Sequence, residues 1–321
     1  MNQGTYRVRV AAKTVEATDI CSFELVSTDG RTLPAFSAGS HVDVHVPGGL
    51  IRQYSLCNDS TESHRYLIGV LNDPASRGGS RAMHEALHEG DEIVISAPKN
   101  HFQLVHEAHR SVLLAGGIGI TPILCMAERL ATTGAEFEMH YCTRSPTRTA
   151  FKRRIESSAF ASRVRFHFDD GDAAQKLDVA ALLAAPASGT VLYVCGPKGF
   201  MDWVLGTARA NGWPETQLRF EFFAAEVVTR DADASFEVKL ASSGKVVVVP
   251  SDKTVAQALL EAGVEVPTSC EQGVCGTCLT RVIAGEPDHR DMFLTPAEQQ
   301  ANDQFTPCCS RAKSPMLVLD L

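Results

Sequence analysis

The stretch CEQGVCGTC, residues 270–278, sets three cysteines at spacings of five and three in a glycine-broken loop. A further pair, Cys308 and Cys309, follows in PCCSRAK, residues 307–313. Cys270-x4-Cys275-x2-Cys278 with a distant fourth cysteine is the plant-type [2Fe–2S] spacing. Two bridged irons need four thiolates arriving from several sides, and a loop wrapped round them supplies three. Gly273, Gly276 and Thr277 let the backbone come close, so that amide N–H groups can aim at the sulfurs. Structural zinc sites instead pair two short C-x2–4-C knuckles. A redox CxxC made of Cys275 and Cys278 leaves Cys270 unexplained. The loop reads as a cluster site ligated by Cys270, Cys275 and Cys278. Spacing alone leaves the fourth ligand open between Cys308 and Cys309.

Around this loop, residues 236–321 read as one compact unit: the strands FEVKL and KVVVVP, the helix TVAQALLEAG, and a last strand MLVLDL. Residues 224–235, AAEVVTRDADAS, are polar and weakly patterned, a linker. Before it the rhythm changes. Over 108–223, SVLLAGG, EFEMHYC, RVRFHF and TVLYVCG alternate with the helices TPILCMAERLATTG and PKGFMDWVLGTARANG. That alternation predicts a parallel α/β sheet. Residues 1–103 hold short β-rich runs (YRVRV, CSFELV, HVDVHV, RQYSLC, RYLIGVL) separated by turn residues, which predicts a small antiparallel barrel. One helix, opened by Ser80 and closed by Gly90, interrupts them, with His84 and His88 on a solvated face.

The totals exclude several function classes. A net charge of −8 without any basic block argues against nucleic acid. No apolar run approaches the ~20 residues of a spanning helix. The start, MNQGTYRVRV, has no charged n-region before an apolar stretch, so no secretory signal is expected. Ten cysteines without such a signal point to free thiols in a reducing cytoplasm. Cys21, Cys57, Cys125 and Cys142 read as small buried hydrophobes.

The motifs RQYSLCND (52–59), SRGGS (76–80), AGGIGITP (115–122), CGPKGFM (195–201), CEQGVCGTC and PCCSRAK occur in this order. Together they are similar to those of the phthalate dioxygenase reductase and vanillate O-demethylase reductase family. That family joins the flavin and nicotinamide domains of the ferredoxin–NADP reductase superfamily to a C-terminal ferredoxin. The resemblance covers essentially the whole chain. It implies an FMN-binding β-barrel domain over 1–103, an NAD-binding α/β domain over 108–223, and a β-grasp plant-type ferredoxin domain over 236–321. It places the fourth cluster ligand at Cys308 and leaves Cys309 a free thiol.

The resemblance also assigns roles. Arg52, Tyr54 and Ser55 would meet the flavin, with Gly78, Gly79 and Ser80 as donors to the FMN phosphate, Arg77 beside them. Gly116, Gly117 and Gly119, with Thr121 as helix N-cap, would form the pyrophosphate loop. The sequence there is G-G-x-G, which departs from the classical G-x-G-x-x-G fingerprint. Cys195, Gly196 and Pro197 would lie beside the nicotinamide. Phe223, or Phe222 one position away, would pack on the flavin, and Phe220 would be a core residue. Arg144 after the strand HYC could meet a 2′-phosphate, but the family resemblance favours NADH. Ser55, Cys195 and Phe223 would flank the reacting atoms. The implied activity is electron transfer from NADH through FMN and the cluster to a terminal Rieske-type aromatic oxygenase, phthalate first and vanillate second, by a monomer. A general NADH:acceptor reductase and a cluster-based redox sensor without turnover are the rival readings.

Overall fold

The computed structural model describes residues 4–321 except 75, 77, 106 and 224–232. Arg77 and most of the expected linker lie outside the described residues. The chain divides into two compact units, Met1–Glu221 and Phe222–Leu321. Among the described residues no helix is long and apolar enough to cross a membrane.

The first unit opens with an antiparallel sheet. Its strands are β1 (Thr5–Ala17), β2 (Ile20–Ser27), β3 (Ser40–His45), β4 (Ile51–Ser55), β5 (Tyr66–Leu71), β6 (Glu92–Ser96) and the short β7 (Lys99–Asn100), with helix α1 (Gly79–Glu85) between β5 and β6. The order is β4-β3-β6-β1-β2-β5, with β7 on β3. Alternate residues of β1, Val8 and Val10, point to a core shared with Phe23, Val44 and Ile68. This is the period of two that a sheet with one buried face demands. The two outermost strands approach one another. Leu56 forms a bridge to Ile68, and the Cys57 N–H donates to Leu67 O at 2.9 Å. Helix α1 lays Met83 against this core. It is shorter than its sequence pattern, so His88 falls in the following turn.

The same unit continues with β8 (Arg110–Gly116), α2 (Ile120–Thr132), β9 (Glu136–Thr143), α3 (Lys152–Glu156), β10 (Val164–Phe168), α4 (Val179–Leu182), β11 (Thr190–Cys195), α5 (Lys198–Ala210) and β12 (Leu218–Glu221). These strands are all parallel, in the order β10-β9-β8-β11-β12. From β8 the chain steps outward to β9 and β10, then returns to the other side for β11 and β12. The direction therefore reverses between β8 and β11. Open α/β sheets take ligands at the carboxyl ends of the two strands that flank such a reversal.

The second unit contains β13 (Phe236–Leu240), β14 (Val246–Val249), α6 (Val255–Glu261), β15 (Thr280–Ala284), β16 (Pro287–Asp288), α7 (Pro296–Ala301), β17 (Gln304–Phe305), β18 (Arg311–Ala312) and β19 (Met316–Leu319). The main sheet runs β14-β13-β19-β15-β17, and β16 pairs with β18. Thr254 caps α6 with a capping box closed by Gln257, and Thr295 caps α7 in the same way with Glu298. Leu259 of α6 packs on Val238 and Leu317 of the sheet.

Candidate active site and metal centre

β4 pairs with β3 in a register that sets Val44 opposite Arg52, Val42 opposite Tyr54 and His41 opposite Ser55. Tyr54 packs against the apolar core of the first sheet. The Arg52 side chain crosses the start of α1. A Cβ on Gly79 would stand 2.7 Å from Arg52 Cγ and 2.8 Å from Nε, so only glycine lets the guanidinium lie on the helix N-terminus. Gly78 is the true N-cap of α1, at a φ of 101° that favours glycine. Ser80 lies one residue inside the helix, and its Oγ accepts from the Asp73 N–H at 3.2 Å. The Gly78 N–H donates to Ser76 Oγ at 3.1 Å, so Gly78 shapes the turn and its amide is engaged. His84 is not on a solvated face, because its Nε2 lies 2.9 Å from Val70 O.

Glycines line the carboxyl ends of β8 and β11, and three of them, Gly116, Gly119 and Gly196, leave no room for a side chain. A Cβ on Gly119 would sit 2.2 Å from Cys195 O and 2.6 Å from Gly196 N. A Cβ on Gly116 would meet the Phe200 ring at 2.8 Å and Pro197 Cδ at 3.0 Å, and one on Gly196 would reach Gly116 Cα at 2.9 Å. Gly117 adopts a φ of 52°. The loop after β8 and the loop after β11 therefore touch backbone to backbone. Thr121 is not a cap. The α2 helix starts at Ile120 out of a tight turn over Gly117–Gly119, and Thr121 Oγ1 donates to Ile118 O at 3.1 Å. Its methyl group lies so near Gly69 that a Cβ there would stand 2.8 Å away. Through this contact β5 of the first sheet touches the start of α2. Arg144 is exposed just past the carboxyl end of β9.

Sequence reasoning missed Glu221. In the parallel pairing of β11 with β12, Glu221 stands opposite Cys195. Ser55 Oγ, from the other sheet, donates to Glu221 Oε2 at 3.5 Å. Burial pushes the Glu221 carboxyl up to about 8, against the lowering effect of the Ser55 hydrogen bond. Burial first, and then the charge of Glu221, hold the Cys195 thiol well above its usual value. Cys195 is itself fully buried, and a raised thiol of this kind favours its neutral form. Nothing local in RFEFF marks the glutamate, because its partners come from β4 and β11. Phe222 and Phe223, immediately after β12, are half-buried. Phe220 is no core residue: it is 36% exposed, with the Arg209 guanidinium 5.9 Å over its ring.

In the second unit the cysteine loop gathers its thiols. Cys270, Cys278 and Cys308 are buried at 4%, 3% and 5% exposure, and Cys275 is half-buried. Among the described residues no three potential ligands surround one point as for a single ion. Cys270, Cys275 and Cys278 lie on one loop and Cys308 on a separate segment, so the loop offers three sulfurs and PCCSRAK the fourth that a two-iron centre takes. The Gln272 N–H donates to Cys270 Sγ at 3.3 Å, the amide-to-sulfur contact expected of a cluster loop. Together with the neighbouring thiols, this amide and that of Val274 hold the Cys270 thiol far below its usual value. Gly273 and Gly276 have φ values of 70° and 69°, and a Cβ would stand 2.4 Å from Cys309 Sγ at the first and 2.3 Å from the Phe293 ring at the second. Cys309 Sγ lies 3.3 Å from Thr306 Oγ1. Elsewhere Cys21, Cys57 and Cys125 are buried and Cys142 half-buried, and burial raises the thiol of each.

Comparison with known proteins agrees with this geometry. A 2Fe-2S iron-sulfur cluster binding domain family matches residues 238–313. The chain is 59% identical over 314 residues to a vanillate O-demethylase oxidoreductase of Pseudomonas sp. (strain HR199 / DSM 7063), covering 98% of this chain and 99% of that one. It is 41% identical over 319 residues to phthalate dioxygenase reductase of Burkholderia cepacia, covering 99% and 98%. A solved phthalate dioxygenase reductase, described as a modular structure for electron transfer from pyridine nucleotides to [2Fe–2S], matches with a TM-score of 0.82 at 41% identity, over 99% of this chain and 98% of that one. The four-cysteine spacing, the glycine-lined ends of β8 and β11 and these full-length likenesses make the chain a member of the vanillate O-demethylase reductase and phthalate dioxygenase reductase family, NADH-dependent oxidoreductases carrying FMN and a [2Fe–2S] cluster.

Proposed function

We propose that the protein is the electron-transfer reductase component of a two-component Rieske-type aromatic oxygenase system, and that its partner is a vanillate O-demethylase. The observation that carries the first part is the presence on one chain of close-packed glycines at the β8–β11 switch point and of four cysteines at plant-type spacing, read as an entry for paired electrons and an exit for single ones. Vanillate ranks ahead of phthalate because the vanillate relative is much the more similar over the same length. FMN, when bound, supplies the step between the two-electron donor and the one-electron cluster.

The residues do the positioning. Arg52, lying over Gly79, offers positive charge to the FMN phosphate at the head of α1, and Gly79 and Ser80 offer amides. Gly78 sets the turn. Tyr54 and Ser55 face the flavin ring. The contact of Gly116, Gly117 and Gly119 with Cys195, Gly196 and Pro197 holds the nicotinamide nucleotide at the β8–β11 switch point, and Thr121 ties that loop to β5. Arg144 stands where the adenosine ribose would come. Ser55 Oγ and Glu221 Oε2 hold a proton beside the carboxyl end of β11. Phe223 covers the flavin where the nicotinamide enters. Cys270, Cys275, Cys278 and Cys308 hold the cluster. Cys308 is preferred to Cys309 because it heads the family's C-x-S-R pattern and is buried, at 5% exposure, where Cys309 is half-buried.

In this reading the first sheet is a barrel closed at Leu56–Ile68, the last is a β-grasp, and three domains span 1–103, 108–223 and 236–321. In the same reading the protein works as a monomer in the cytoplasm, whose reducing conditions suit a chain with ten cysteines.

An anaerobic visible spectrum before and after NADH tests the relay. Flavin and iron–sulfur bands that both bleach support it. A cluster spectrum untouched by NADH would move the reading to a redox sensor. Turnover with purified vanillate O-demethylase oxygenase, set against phthalate dioxygenase, tests the partner. Equal rates with both, and with an unrelated ferredoxin, would make the chain a general acceptor reductase.

A further inference from the structure

Asp291 is a buried carboxylate in a part of the second unit that the reaction, as described so far, does not use. Its side chain has 0% exposure. Oδ2 accepts from the N–H groups of Phe293 at 3.2 Å and Leu294 at 2.7 Å, and Oδ1 accepts from Ser310 Oγ at 3.4 Å. Acceptance from three donors suits an ionised carboxylate. Among the described residues its one ionic neighbour is His289, with Nδ1 3.6 Å from Oδ1. The adjacent Arg290 guanidinium turns the other way, to Asp233 and Asp288.

The position joins the two segments that bear the thiols. The Met292 N–H donates to Gly273 O at 2.9 Å. The Phe293 ring lies on Gly276, and a Cβ on Gly273 would stand 3.1 Å from Asp291 Cα and 3.2 Å from its Cβ. Ser310 lies two residues after Cys308. A buried charge is costly, and its field in a weakly screened interior reaches further than in water. Asparagine could make much of the same turn without the charge. The charge itself therefore calls for a role.

We propose that Asp291 is a positioning residue for the cluster: its carboxylate clamps the 291–294 turn onto the cysteine loop, and its negative charge opposes arrival of the electron and so sets the reduction potential low. This rests on the cluster reading above, and iron-free wild-type protein would sink that reading as well as this one.

The test is a redox titration of the cluster in the intact chain, followed by electron paramagnetic resonance, with iron content and visible spectrum as controls. In Asp291→Asn the reduced-to-oxidised ratio at a fixed potential should rise about tenfold, equivalent to about 59 mV for one electron. Ser310→Ala removes a donor to the carboxylate and leaves its charge less neutralised, so it should shift the ratio the opposite way. Asp252→Asn, on the surface of the same unit, should leave it unchanged. General loosening of the loop would move both variants in one direction. An iron-loaded Asp291→Asn with the wild-type potential overturns the proposal. If that variant cannot hold iron, Ser310→Ala decides: a shift to lower potential supports the proposal, and an unchanged or raised potential overturns it.

Discussion

Replacing Gly119 by alanine probes the meeting of the β8 and β11 loops with a single methyl group. The backbone itself would accept alanine, since φ is −60° and ψ −6°. A glycine-to-alanine change at a compatible backbone normally stabilises by about 0.4–1 kcal/mol through the unfolded state. Here the new Cβ would stand 2.2 Å from Cys195 O and 2.4 Å from Cys195 C, both backbone atoms that no rotamer change can move away. Overpacking of this kind costs about 1–3 kcal/mol. The net is a loss of roughly 1–2 kcal/mol, taken where the β8 and β11 loops meet. If that loss falls on nucleotide binding, the KM for NADH rises about five- to thirtyfold, since 1.4 kcal/mol is tenfold. Steady-state kinetics and stopped-flow flavin reduction read this directly, with FMN and iron content expected to stay at wild-type levels. Gly206→Ala is the control. Gly206 lies on an exposed turn of α5 with nothing within 4 Å of an added Cβ, and it should leave KM alone and raise Tm slightly. Gly119→Ala with wild-type KM and wild-type Tm would refute the close approach of the two loops.

Three other outcomes are expected. Arg52→Ala should purify with substoichiometric FMN, and full FMN content would remove Arg52 from the phosphate site. Cys275→Ser should lose the cluster and cytochrome c reduction while NADH still reduces the flavin; cytochrome c activity at the wild-type rate would show that electrons leave by another route. Glu221→Gln should flatten the pH dependence of stability. With its carboxyl raised to about 8, Glu221 binds a proton in the folded chain that the unfolded chain has already released. Its contribution is therefore full at acid pH, is lost as pH rises through about 8, and is level beyond that. Glutamine mimics the protonated acid, so Tm of wild type and variant should agree at acid pH and wild type should fall below the variant toward the alkaline end; parallel curves would contradict the raised carboxyl.

The sequence alone sufficed wherever chemistry depends on spacing along the chain. The loop at 270–278 is legible because three ligands of one centre must come from a few consecutive residues. The glycines at 116–119 and Gly196 are legible because a backbone that approaches another backbone tolerates no side chain. Strand alternation in β1 and the capping box at Thr254 are equally local.

Other features needed the fold. Ser80 and Thr121 looked like helix caps, but their hydroxyls are drawn to Asp73 and Ile118, and glycines occupy the cap positions. His84 looked solvated until β5 placed the Val70 carbonyl beside it. Phe220 carries an aromatic side chain that hydrophobicity assigns to a core, yet it lies at the surface beneath Arg209. Glu221 and Asp291 carry no local signature at all. The proton affinity of Glu221 comes from burial between β11 and Ser55 of β4, the latter over a hundred residues away in sequence, and Asp291 gains its partners from a turn and from a residue beyond α7. Spacing along the chain determines which groups can act together locally. Dielectric environment and long-range hydrogen bonding exist only once distant segments meet, so the tertiary structure alone decided which acids are buried and beside what.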